Sequence, residues 1–222
     1  MRTRVLTYGL LALVAAMAAI AVACGGGGDG PSNSSGQPGT PGAAGVQGPT
    51  GLPEVDHLIQ AARDANVIEL ASLAGYQKVG CEGGGTASAP PCRSGESSGT
   101  KIEALAFSNC DHSWVLPEQV SDQYKMLLPS GQVSLYAVYG PNDTSDTFEG
   151  GFGSQYVIVL SAGKRSDGQP AGVALHVNDG RVTWIEKECK GIDELVAGSR
   201  VKSMIIAPGG SATAATTPAA TP

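Results

Sequence analysis

Nineteen uncharged residues, Val5 to Ala23, run into Cys24 and four glycines. This feature decides which part of the chain can fold, and in which compartment. Arg2 and Arg4 precede the run, and the small residues Ala21, Val22 and Ala23 stand just before the cysteine. A basic start, an apolar stretch and a small-residue cleavage site make a secretory signal. The run is also long enough for an uncleaved transmembrane helix, which needs about 20 apolar residues. Both readings export the rest of the chain, because the arginines favour the cytoplasmic side.

Ala21-Val22-Ala23-Cys24 resembles the lipobox of bacterial lipoproteins. The resemblance implies cleavage before Cys24 after its sulfur has received diacylglycerol. Residues 1–23 are then a signal peptide, Cys24 is the lipidation site, and the protein is anchored at the extracytoplasmic face of the cell membrane.

Residues 24–53 hold no plausible core, being mainly Gly, Pro, Ser, Thr, Ala and Gln. Glycine recurs at 36, 39, 42, 45, 48 and 51, six consecutive Gly-X-Y triplets that resemble a fragment of a collagen-like segment. Six triplets are few for a trimer, so the expectation is a linker. As a flexible coil it spans about 30 Å; fully extended it would reach about 90 Å. The other end, residues 208–222, is rich in Thr, Ala and Pro without apolar periodicity, and is expected to be disordered.

Folding is thus left to residues 54–207, one domain of ordinary size. A chain near 150 residues buries about 68–70% of its unfolded surface. Val55, Leu58, Ile59 and Ala62 recur at helical spacing behind Pro53, with Glu54 and Asp56 in the first turn. Asn66 and Glu69 predict a capping box for a second helix, stopped at Gly75. Leu116, Val120, Tyr124 and Leu128 predict a third helix opened by Pro117. KIEALAF, QVSLYAVY, QYVIVLSA and VKSMIIA read as strands, and GVALHVNDGRVTWIEKEC reads as a hairpin turning at Asp179-Gly180. DELVAGS reads as a short helical turn. Segregated helices and sequential strands predict an α+β fold. Two or three helices pack on a mainly antiparallel bent sheet, disulfide-bonded, with disordered tails.

The two opening helices and the NDGRVTWIE hairpin resemble the cystatin-like fold of the nuclear transport factor 2-like superfamily. That resemblance implies a bent sheet wrapped around the first helix. In catalytic members it implies an Asp and a His in a cone-shaped pocket, a pair that does not align here.

Beyond Cys24, the cysteines are Cys81, Cys92, Cys110 and Cys189. An even number in an exported domain predicts two disulfides, from three possible connectivities. The preferred pairs are Cys81–Cys92, which flank one Gly/Ser/Pro loop, and Cys110–Cys189, whose long closed loop restricts the unfolded chain by about 4 kcal/mol or more. A zinc site using Cys110-Asp111-His112 is the rival, but no C-x-x-C pair supports it.

No motif demands a reaction. Asp111-His112-Ser113 joins three reactive types, but adjacency in sequence does not make a triad. His57 lies beside an apolar helical stripe, and His176 alternates with Leu175 and Val177, so it faces away from the hydrophobic side. Asn142, Asp143, Asp146 and Glu149 form an acidic loop without EF-hand spacing. Tyr136 and Tyr139 fall on opposite sides of one strand. No catalytic residue, metal or cofactor is expected. Without the signal, 12 basic side chains face 20 acidic ones, a net charge of −8. With no Lys/Arg cluster, nucleic acid is a poor partner. The expected partners are the membrane, through the lipid anchor, and an unidentified protein or small-molecule ligand, bound by a monomer. The expected function is a non-catalytic binding or interaction domain; the alternative is a small-molecule hydrolase or isomerase with a cystatin-like pocket.

Overall fold

A computed structural model of the protein describes residues 50–142 and 153–209. The signal run, Cys24, the linker as far as residue 49, the acidic residues Asp143, Asp146 and Glu149, and the tail from residue 210 lie outside them. Among the described residues the order is α1 (Pro53–Arg63), α2 (Val67–Ser72), β1 (Gln77–Gly80), β2 (Lys101–Asn109) and β3 (Asp111–Val115). A 3-10 turn (Pro117–Gln119) then leads into α3 (Val120–Leu127), followed by β4 (Val133–Pro141), β5 (Tyr156–Lys164), β6 (Pro170–Asn178) and β7 (Arg181–Lys187). A 3-10 helix (Ile192–Val196) precedes β8 (Val201–Ile206). The class is α+β, with three helices on a mainly antiparallel sheet and both expected disulfides closed. No described helix is long and apolar enough to cross a membrane.

The helices follow their apolar spacing. Val55, Leu58, Ile59 and Ala62 of α1 are buried, as are Val120 and Tyr124 of α3 and Leu116 and Leu128, which flank the 3-10 turn and α3. Chain order begins before Pro53: Thr50 is buried, and its amide donates to Asp56 Oδ1 at 2.6 Å. The capping box of α2 is half formed. Asn66 accepts from the Glu69 amide at 3.2 Å, but the Asn66 amide donates to the Ala61 carbonyl and Glu69 turns to His57. Gly75 is not a left-handed stop. It is needed for close approach, because a Cβ there would stand 3.0 Å from Thr183 Cγ2.

The strands run in the order β1-β2-β7-β6-β5-β4-β8, and β3 pairs with β2. Only the β2–β7 pair is parallel among the described ladders. Asp179 and Gly180 both have positive φ, 48° and 70°, as the tight β6–β7 turn requires. Between Leu135 and Ala137 the β4 register shifts by one residue. The bulge breaks the two-residue alternation. Tyr136 and Tyr139 therefore both pack on the cluster around the 3-10 helix Ile192–Val196, against the expectation of opposite sides.

Both faces of the sheet are covered. Leu135, Ile158, Leu160, Val173, Leu175 and Val177 meet α1, α2 and α3. On the other face, Ala137, Tyr139, Val157, Val159 and Ala174 lie under Ile192 and Leu195. Further along that face, Ala104, Ala106, Trp114 and Trp184 pack with Cys81 of the disulfide-bracketed loop. A strand buried on both sides favours a continuous apolar run, as in Val157–Leu160 of β5 and Val173–Leu175 of β6. Each fully buried Leu, Ile or Val contributes about 1.5–3 kcal/mol, so this double coverage is the main source of stability.

Candidate functional site

Among the described residues, a cluster of ionisable side chains sits on the sheet face away from the helices. Alternation on β6 sends His176 to the face opposite Leu175 and Val177, as expected from sequence. That face is not open to solvent: His176 is 1% exposed. Register places Trp114 opposite Ala106, Ala106 opposite Trp184, and Trp184 opposite His176. Glu186 follows Trp184 by two residues on β7 and so shares its face. Arg200 enters from the segment before β8.

Polar groups saturate this cluster. His176 Nε2 lies 3.1 Å from Glu186 Oε2, and Nδ1 lies 3.3 Å from the Ser154 hydroxyl. An ionised carboxylate only accepts, so the Nε2–H donates to it and Nδ1 is turned to Ser154. Arg200 grips both carboxylate oxygens of Glu186, at 3.0 and 2.5 Å. Burial alone would push the Glu186 carboxyl up, but hydrogen bonds from His176 and Arg200, with their charges, hold it at about 2. Trp184 donates to the Ser108 hydroxyl at 3.3 Å.

Chemically, Ser154, His176 and Glu186 stand in the order hydroxyl, imidazole, carboxylate, the order in which a base activates a nucleophile and is itself oriented. Two features oppose that use. The Arg200 fork neutralises the carboxylate, and the imidazole is buried with one face covered by Trp184.

Open hollows lie elsewhere. One of about 340 Å³ is lined by Phe107, Trp114, Val115, Gln123 and Met126. One of about 270 Å³ is lined by Gly85, Pro91, His112 and Trp114. These two flank β3 and share Ser113 and Trp114. A third, about 250 Å³, lies by Leu127, Gln132, Lys164 and Lys187. Met126 is 72% exposed, an apolar residue at the rim of the first and third.

Among the residues singled out from sequence, Cys81 is bonded to Cys92 and Cys110 to Cys189. Cys24 and the acidic residues 143, 146 and 149 lie outside the described residues. Asp111, His112 and Ser113 are consecutive residues of β3, so the middle side chain points to the other face and no triad forms. Ser113 instead donates to the Phe107 carbonyl at 3.4 Å. His57 is an exposed partner of Glu69, at 3.4 Å. Among the described residues, no group of three or more His, Cys, Asp or Glu could hold a metal ion.

Ser154, Glu186 and Arg200 carry no sequence motif. The one signal available was the hairpin: a turn at Asp179-Gly180 brings His176 near Trp184, and Glu186 follows on the same face. Arg200 is joined only by the tertiary fold. Compared with protein-family models, characterised proteins and solved structures, the chain matches none of them.

Proposed function

We propose that the protein is a bacterial lipoprotein, anchored through Cys24 at the extracytoplasmic face of the membrane, whose domain is a non-catalytic binding or interaction module. The observation that carries the export half is the pair of closed disulfides, Cys81–Cys92 and Cys110–Cys189. Such bonds persist in oxidising compartments outside the cytoplasm. The binding half draws support from the open hollows on both sides of β3, the larger within the size range of small-ligand sites. The resemblance to the nuclear transport factor 2-like superfamily belongs to the same proposal, supported by helices gathered on one face of the sheet.

The test is chemical. Mass spectrometry of the mature protein from membranes should find Cys24 N-terminal and carrying acyl chains. Cys24→Ser should leave the precursor uncleaved or release the protein from the membrane fraction. An unmodified Cys24 in the mature wild type would defeat the anchor.

A second reading, a small-molecule hydrolase or isomerase, is favoured by one observation, the Ser154–His176–Glu186 chain of hydrogen bonds. A fluorophosphonate probe that labels wild type but not Ser154→Ala, with folding intact, would establish it in place of the non-catalytic one.

A further inference from the structure

The two disulfides occupy unlike places. Cys81 is completely buried, packed among Ile102, Trp114 and Trp184, while its partner Cys92 is half-buried. The Cys81 Sγ lies 3.5 Å from the Ser97 carbonyl. Cys110 is exposed, and its partner Cys189 is half-buried. Cys110 is also the single residue between the paired Asn109 and Asp111, where β2 turns back into β3. Its φ is +66°. A non-glycine residue is rarely held in this region and persists there only where its surroundings impose it. At the other end of the bond, Cys189 opens the segment that covers the second sheet face. The Cys189 and Lys190 amides donate to Glu194, at 3.3 and 2.9 Å, and Ile192 and Leu195 follow into the apolar cluster.

We propose that Cys110–Cys189 is a releasable redox clasp: a dithiol reductant opens it selectively while Cys81–Cys92 stays closed, freeing the β2–β3 turn from the segment after β7. Access decides which bond reacts, since exchange requires a thiolate to reach a sulfur, and exposed disulfides are the labile ones. The reductant thiolate attacks Cys110 Sγ. The S–S bond breaks, and Cys189 leaves as a thiolate that takes a proton. The second thiolate of the reductant attacks the mixed disulfide, releasing Cys110, which takes the second proton. Two electrons pass from the dithiol to the protein, and the reductant leaves as its own disulfide. With the bond open, the left-handed Cys110 turn relaxes, and β3 is held by its ladder to β2 and its packing alone. The proposed export enters only as the reason that both bonds are closed at rest.

The experiment uses the full chain in detergent, treated with graded dithiothreitol. Free thiols are alkylated and mapped by peptide mass spectrometry. Cys110 and Cys189 should become half-alkylated at about tenfold lower reductant than Cys81 and Cys92. Simultaneous or reversed opening overturns the selectivity. At the selective concentration, amide exchange should rise over 110–115 and 189–197; unchanged exchange overturns the release. The variant Cys110→Ser/Cys189→Ser should show the same exchange pattern with Cys81–Cys92 intact. If it does not fold, the wild-type titration still decides. The same spectra report Cys24, so a failed anchor is seen separately from a failed clasp.

Discussion

His176 lies flat on Trp184, with ring centroids 3.9 Å apart and planes inclined by 19°. The stack covers the imidazole face and leaves its nitrogens to Ser154 and Glu186. A row of aromatic and ionisable groups is thereby built into the second core of the sheet. Its members are tied by hydrogen bonds, so removing any one leaves another buried and unsatisfied.

Glu186 should make stability depend on acid. Its folded pKa of about 2 is below its ordinary 4.5. A carboxylate depressed in this way contributes stability above the ordinary value, and that stability is lost as pH falls through about 2. Glu186→Gln should lower stability on the order of 2–3 kcal/mol at neutral pH. The deficit relative to wild type should shrink steadily from about pH 4.5 to pH 2. Urea midpoints across that range check it; a deficit constant with pH would refute the assignment.

Tyr139 anchors the 3-10 helix Ile192–Val196. Its buried hydroxyl donates to the Leu195 carbonyl at 2.8 Å. Tyr139→Phe should cost about 1–3 kcal/mol, because the carbonyl loses a partner out of reach of water. Tyr136 is half-buried but its hydrogen bond to Asp193 is open to solvent, so Tyr136→Phe should cost less than about 1 kcal/mol. Thermal melts of the two variants give the ranking.

Gly172 lets the same 3-10 helix sit close to β6. A Cβ there would lie 3.0 Å from Ile192 Cα and from Leu195 Cδ1. Gly172→Ala should destabilise by about 1–3 kcal/mol through overpacking. Gly198→Ala, where a Cβ meets nothing within 4 Å, should change stability by less than about 0.5 kcal/mol. Equal effects would contradict the steric account.

Tyr124 offers the reverse case. It is fully buried on α3, and its hydroxyl has no hydrogen-bond partner among the described residues. Burial pushes its phenol up from the ordinary value. Removing an unsatisfied polar atom costs nothing in hydrogen bonds, so Tyr124→Phe should be neutral or stabilising by up to about 1 kcal/mol. A loss of more than about 1 kcal/mol would reveal a bound water bridging the hydroxyl.

What could be read without coordinates was whatever local physics controls. The α1 and α3 stripes, the Asp179-Gly180 turn and the strand runs all follow from side-chain period and turn chemistry. The two disulfides were legible too, because the loop between Cys81 and Cys92 closes on itself and only one pair then remains. β3 was not legible. DHSWV shows no alternation, since its first three residues are exposed or half-buried and only Trp114 and Val115 are buried. The bulge at Tyr136 was also hidden, because one extra residue in a ladder depends on the partner strand rather than on β4 itself. The role of Gly75 was misread for the same reason: the demand for a missing Cβ comes from Thr183, far along the chain.

The amino-acid sequence by itself determined most of the helices and strands and favoured the cysteine pairing, because periodicity, turn chemistry and loop closure act largely within a segment. Only the tertiary structure decided that the second sheet face is a core. An alternating strand states which residues share a face, but not what will cover it. His176 would be a surface residue on a bare sheet; under Trp184, beside Glu186 and with Arg200 brought in from the segment before β8, it is 1% exposed. Burial depends on elements distant in sequence, and such proximity is set by the packing of the whole chain rather than by any local pattern of residues.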